Sequence, residues 1–121
     1  MVNVSSEYFR SNDKKVIEDS FKSFMSKYFG RGPSLAKAFI VENCITIYCK
    51  DFLTPLEKNV QEVKDGEMLI KISRKRIIDN HEAEFLDIIN GNFGRTVSSY
   101  YLDFNVKNNS IACVFMLDKN Q

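Results

Sequence analysis

Few residues in this chain have the types and spacings that chemistry needs. Its one histidine, His81, precludes a multi-histidine metal site, and the three cysteines, Cys44, Cys49 and Cys113, form no Cys-x-x-Cys pair. Cys44 and Cys49 share one strand-like run, CITIYCK, in which their odd separation points them to opposite faces. All three read as small buried hydrophobes of a reducing compartment. The chain has no serine-nucleophile motif, no paired-carboxylate spacing and no glycine-rich helix start, so the residues alone point to a protein that is not an enzyme and has no cofactor.

Gly30-Arg31-Gly32-Pro33, within YFGRGPSLAK, has the glycine content of an anion-binding loop. Phosphate loops work because they lead into a helix N-terminus, where free N–H groups and the positive dipole end meet the anion. This stretch instead follows a helical pattern, so it meets free carbonyls and a negative dipole end. It reads as a helix stop: Gly30 as a left-handed cap, Gly32 for a second bend, Pro33 to block continuation. Arg31 is left to neutralise carbonyls or to meet a carboxylate. Thr54-Pro55-x-Glu57 reads as a capping box with proline at the first helical position.

Lys71, Arg74, Lys75 and Arg76 form the one basic cluster, flanked by Glu67, Asp79, Glu82 and Glu84. With no interleaved aromatics it reads as a solvated, ion-paired helix face rather than a nucleic-acid patch. Arg74 is the exception. It falls with His81 in the apolar stripe of Ile70, Ile77, Ile78, Phe85, Ile88 and Ile89, so it must find a buried partner: Glu57, Asp103 or a carboxylate of a second subunit. A small-anion sensor or enzyme with a pocket around Arg74 and His81 is the alternative reading of that pair.

The elements that must position these residues follow from the apolar spacing. Val16, Ile17, Phe21, Phe24, Met25 and Tyr28 make one face of a helix starting near Asp13, capped by Ser11, Asn12 or Asp13 and ended by Gly30. SLAKAFIVEN and CITIYCK form a hairpin about Glu42-Asn43. A short helix runs from Thr54 towards Lys64, Asp65-Gly66 interrupts, and a longer helix runs from about Glu67 to Asn90, stopping at Gly91. TVSSYYLDFNV and SIACVFML are two further strands joined at Lys107-Asn108-Asn109, the last apolar on both faces and therefore central.

The predicted fold is α+β: a two-layer sandwich in the order α-β-β-α-α-β-β, with a four-stranded, mostly antiparallel sheet and helices on one face. Residues 1–12 read as a flexible lead-in and 13–121 as a single domain. The second sheet face stays open, with Tyr48, Tyr100 and Thr46 or their neighbours among its occupants, which predicts a homodimer. A formal charge of +1, from 17 basic and 16 acidic residues, offers no global field for nucleic acid or an anionic membrane. Neither a membrane-length apolar run nor a secretory leader is present, which predicts a cytoplasmic chain without direct membrane insertion.

Taken in order, Gly30-Arg31-Gly32-Pro33, a hairpin, Leu53-Thr54-Pro55-x-Glu57, a helix with Arg74, Gly94-x-x-Val97, Asp103 and Val114-Phe115-x-Leu117-Asp118 resemble the MpsC family. That family is named for the bacterial sodium-translocating, membrane-potential-generating system. The resemblance covers residues 13–118. It implies a non-enzymatic, cytoplasmic accessory protein, peripheral to the membrane through a protein partner in a cation-translocating or bicarbonate-uptake assembly. It supplies no catalytic residue. The motif positions it marks are Gly30, Arg31, Gly32, Pro33, Thr54, Pro55, Glu57, Arg74 and Asp103. The cysteines and the Tyr100-Tyr101 pair depart from the pattern.

Overall fold

The computed structural model of the chain describes residues 9–119. Residues 1–8 of the predicted lead-in, and the last two residues of the predicted domain, lie outside them. Helix α1 spans Ser11–Phe29 and buries Ile17, Phe21, Phe24 and Met25. Its cap is Arg10, not Ser11, Asn12 or Asp13: Asp13 acts from within the first turn, its Oδ2 accepting the Arg10 N–H at 2.6 Å. Phe9 is buried ahead of the helix, its ring edge-on to Phe93 at 5.4 Å.

Strands β1 (Leu35–Val41) and β2 (Cys44–Lys50) form the expected hairpin, and β3 (Val97–Asn105) and β4 (Ser110–Leu117) complete a sheet of order β1-β2-β4-β3. Every neighbouring pair is antiparallel. β4 is internal, as its apolarity on both faces requires. Ile45, Ile47, Cys49, Ile111, Cys113, Phe115 and Leu117 make the helix-covered face and are buried. Burial pushes the Cys49 thiol up to about 12, so it packs as an uncharged hydrophobe. The free edge of β1 is covered by α1, where Glu18 Oε2 accepts the Ala38 N–H at 2.8 Å.

Three helical segments link the hairpins: α2 (Pro55–Val60), α3 (Gly66–Asn80) and α4 (Glu82–Phe93). The predicted Glu67–Asn90 helix is thus broken at His81, whose backbone leaves the helical region at φ −121°, ψ 34°. His81 closes α3 by donating to the Ile78 carbonyl and opens α4 by accepting the Phe85 N–H, each at 3.0 Å. The bend occurs where its ring stacks on Tyr28 of α1, 4.0 Å between centroids. It carries Phe85 into a cluster with Phe21, Phe24, Tyr100 and Phe115, centroids 5.2–6.0 Å away. Each such ring contributes about 1.5–3 kcal/mol by burial. The helix also runs through Gly91 to a cap at Gly94, because Phe93 is held against Phe9.

A bulge in β3 decides which tyrosine faces the core. Val97 pairs with Leu117, yet Ser99 pairs with Met116, so one extra residue reverses the alternation beyond it. Tyr100 therefore turns inward against Phe85 and Phe115, and Tyr101 takes the open face, where it is 63% exposed. Of the expected occupants of the open face, Tyr100 is replaced there by its neighbour Tyr101. Tyr48 and Thr46 do lie there, opposite the buried Ile47 and Cys49.

Candidate functional site

The stripe position of Arg74 on α3 aims a guanidinium into the core, where its side chain is 1% exposed. Nε donates to Glu57 Oε2 at 2.7 Å and Nη2 to Glu57 Oε1 at 2.6 Å, a bidentate pair. Nη2 also donates to the Phe52 carbonyl at 3.1 Å. The guanidinium plane is covered by Phe29, 4.0 Å from ring centroid to Cζ, and by Phe52 at 4.8 Å. Glu57 has two tasks at once. Its Oε1 accepts the Thr54 N–H at 2.9 Å while Thr54 Oγ1 accepts the Glu57 N–H at 3.1 Å, which is the capping box the spacing predicts.

Arg31 serves the same segment from the other side. Its Nη2 donates to Asp51 Oδ2 and to the Asp51 carbonyl, both at 3.0 Å, and Nη1 to the Leu53 carbonyl at 3.1 Å. Gly30 ends α1 in the left-handed region at φ 86°, its N–H on the Ser26 carbonyl at 3.0 Å. Gly32 passes so close to α1 that a Cβ on it would stand 2.9 Å from the Lys22 carbonyl oxygen. These bends lift Arg31 away from the helix carbonyls and onto the chain between β2 and α2.

That strap, residues 51–54, is clamped by three elements far apart in sequence. Asn109, in the β3–β4 turn, supplies the third clamp: its Oδ1 accepts the N–H groups of Phe52 at 2.8 Å and Leu53 at 3.0 Å, and its carbonyl accepts that of Asp51 at 2.8 Å. The sequence marks Asn109 only as a turn residue able to take positive φ, which it does at 53°. Its role on the strap, and that of Asp51, leave no local signal, since the one depends on contacts across more than fifty positions and the other on Arg31, twenty positions away.

Asp103 does not join this group. It pairs with Lys71 Nζ at 3.1 Å and accepts the Phe104 N–H at 2.8 Å, beside a groove of about 480 Å³ between α3 and β3. Lys75 pairs with Asp79 at 2.8 Å, so the basic cluster is the ion-paired face its composition predicts. His81 lies half-buried on Tyr28, whose hydroxyl donates to Glu84. A separate apolar groove of about 500 Å³, lined by Tyr28, Phe29, Leu56, Val60 and Leu69 among others, includes neither Arg74 nor His81 in its wall. Among the described residues no group of three or more His, Cys, Asp or Glu could hold a metal ion.

The chemistry of the latch is electrostatic. Burial by itself pushes the Glu57 carboxyl up, but donation from Arg74 and from the Thr54 N–H outweighs it, and the carboxyl titrates below its ordinary range. A depressed carboxylate contributes stability that is present above the unfolded value of about 4.3 and is lost as pH falls through the folded value. Asp51 is lowered as well, by donation from Ser34 and Arg31. Urea midpoints are therefore expected to fall steeply below about pH 4.5, and the gap between the wild type and Glu57→Gln to narrow over the same range. A gap that stays constant from neutral to acid pH would separate Glu57 from the effect.

Fold and site together define a small antiparallel α+β domain latched by a buried arginine–glutamate pair, and among the described residues no helix is long and apolar enough to cross a membrane. The family profile described as Na+-translocating membrane potential-generating system (MpsC) matches residues 10–119, and the chain belongs to the MpsC family. It is 30% identical over 101 residues to a Bacillus subtilis (strain 168) protein recorded as "Uncharacterized protein YbcI", covering 84% of this chain and 82% of that one. No solved structure matches the chain.

Proposed function

We propose that this protein is a non-enzymatic accessory subunit, acting as a homodimer in the cytoplasm, of a membrane cation-translocating system of the kind its family is named for. A bicarbonate-uptake assembly is the other host that the family likeness implies. The observation that carries the reading is the family match over residues 10–119, nearly the whole described chain. The internal use of the charged motif residues supports it. Arg74, Glu57 and Arg31 spend their hydrogen bonds on the chain's own strap, so what they do is hold shape. What the domain offers outward is surface, including Leu56, Val63, Met68 and Leu69, each more than half exposed along α2, α3 and the turn between them.

The test is recovery from native cells. Tagged protein, cross-linked before lysis and purified from detergent-solubilised membranes, is expected to carry integral membrane transport subunits with it. Recovery from the soluble fraction alone, across growth conditions that demand cation export, overturns the proposal.

A further inference from the structure

Beyond a terminal row of Leu35, Lys50, Ser110 and Asn105, the open sheet face is built in three further cross-strand rows. The first runs Lys37, Tyr48, Ala112, Asp103; the second Phe39, Thr46, Val114, Tyr101; the third Val41, Cys44, Met116, Ser99. Phe39, Val41 and Tyr101 are 47%, 68% and 63% exposed, apolar side chains on the two edge strands with nothing over them among the described residues. The first row is asymmetric: it places a lysine at one edge strand and an aspartate at the other. Asp103 already holds Lys71, yet its side chain is still 79% exposed.

That asymmetry decides what can cover the face. Two copies laid face to face about an axis parallel to the strands set β1 of each across β3 of the other, with rows in register. Lys37 then lies over the partner's Asp103 at one margin, and Asp103 over the partner's Lys37 at the other. In the next row Phe39 meets the partner's Tyr101 at each margin, and Thr46 meets the partner's Val114 beside the axis. An axis perpendicular to the strands through the middle of the face would instead set β1 on β1, with Lys37 over the partner's Phe39 and Asp103 over the partner's Tyr101, each charge without an oppositely charged mate.

We infer that the homodimer is a face-to-face sandwich of two sheets, its two-fold axis parallel to the strands, with a reciprocal Lys37–Asp103 pair at each margin and a Phe39–Tyr101 contact beside it in the next row. This rests on the homodimer of the proposed function and adds its face and its axis. The packing is that of aligned sheets, about 10 Å apart and within about 30° of parallel. It also explains why the face tolerates a half-exposed cysteine: Cys44, the one cysteine that is not buried, lies in the third row beside the axis and is covered in the dimer.

Sedimentation velocity on the full chain, together with the rate at which a thiol reagent labels Cys44, tests this. The wild type is expected to be dimeric with slow labelling. Tyr101→Lys, at an exposed site that leaves the fold alone, is expected to be monomeric, with melting temperature retained and Cys44 labelled rapidly. Lys37→Asp and Asp103→Lys are each expected to weaken the dimer by roughly tenfold or more, and the double swap to recover it. A monomeric wild type overturns both this inference and the homodimer it rests on, while leaving membrane co-purification to be judged separately. A dimer unchanged by Tyr101→Lys, or a double swap that recovers nothing, overturns the face or the axis alone.

Discussion

Replacing Arg74 with alanine is expected to destabilise the protein by about 3–5 kcal/mol, because it strands one member of a buried ion pair. Glu57, with a side chain only 14% exposed, would keep its charge without the bidentate donor. The Phe52 carbonyl would lose the Nη2 donor, and a gap would open between Phe29 and Phe52. A domain of this size has about 5–15 kcal/mol in total, so the variant is expected to be partly unfolded near physiological temperature. Lysine is expected to recover little, since a point charge supplies neither the paired N–H groups nor the planar face between the rings. Changing both partners, Arg74→Met with Glu57→Gln, is expected to cost less than Arg74→Ala alone, because no charge is then left buried. Urea unfolding of these proteins, with Arg74→Met and Glu57→Gln each alone to close the cycle, measures all of this. Additive losses in the double variant would show that the pair is not coupled.

The second large effect lies at the first residue of the same helix. Gly66→Ala is expected to cost about 2–4 kcal/mol, although glycine at the start of a helix is ordinarily replaceable. Gly66 is buried, and a Cβ there would drive into the Val60 carbonyl oxygen, with the Gln61 carbonyl carbon 3.1 Å away. Both obstacles are backbone, so no rotamer change relieves them. The α2–α3 turn would have to open, and with it the bonds from Val63 to the Val60 carbonyl at 3.1 Å and from Gly66 to the Val63 carbonyl at 3.0 Å. Gly91→Ala is the control: a Cβ there meets only the Asp87 side chain at 3.4 Å, and a helix-interior alanine is expected to stabilise by about 0.5–1 kcal/mol. Equal melting temperatures for the two variants would remove the steric argument.

The two sites differ in how they could be read from the chain. Asp65-Gly66 is visible as punctuation, but the need for glycine comes from the return of α2 against α3, which no local pattern encodes. Arg74 is visible as a charge within an apolar stripe, and that narrows its partner to Glu57, Asp103 or another subunit. The choice of Glu57 depends on where the capped turn at Thr54 comes to rest. Asp103 is drawn instead to Lys71 at the sheet edge.

Sequence alone determined what rests on neighbours a few residues apart. The stop at Gly30, the capping box at Thr54, the strand faces of CITIYCK and the central place of SIACVFML all follow from backbone hydrogen bonding and side-chain period. The open, apolar second face followed too, because the order of elements leaves too few helices to cover it. Tertiary structure decided what rests on contacts distant in the chain. The break at His81 follows the curvature of the aromatic core, and the inward turn of Tyr100 follows one bulged residue in β3. The strap at 51–54 is held by Arg31, Arg74 and Asn109, which meet only after the sheet has closed. Local rules set what each segment can be; which of several suitable partners a buried charge takes is set by the packing that brings one of them within hydrogen-bond reach.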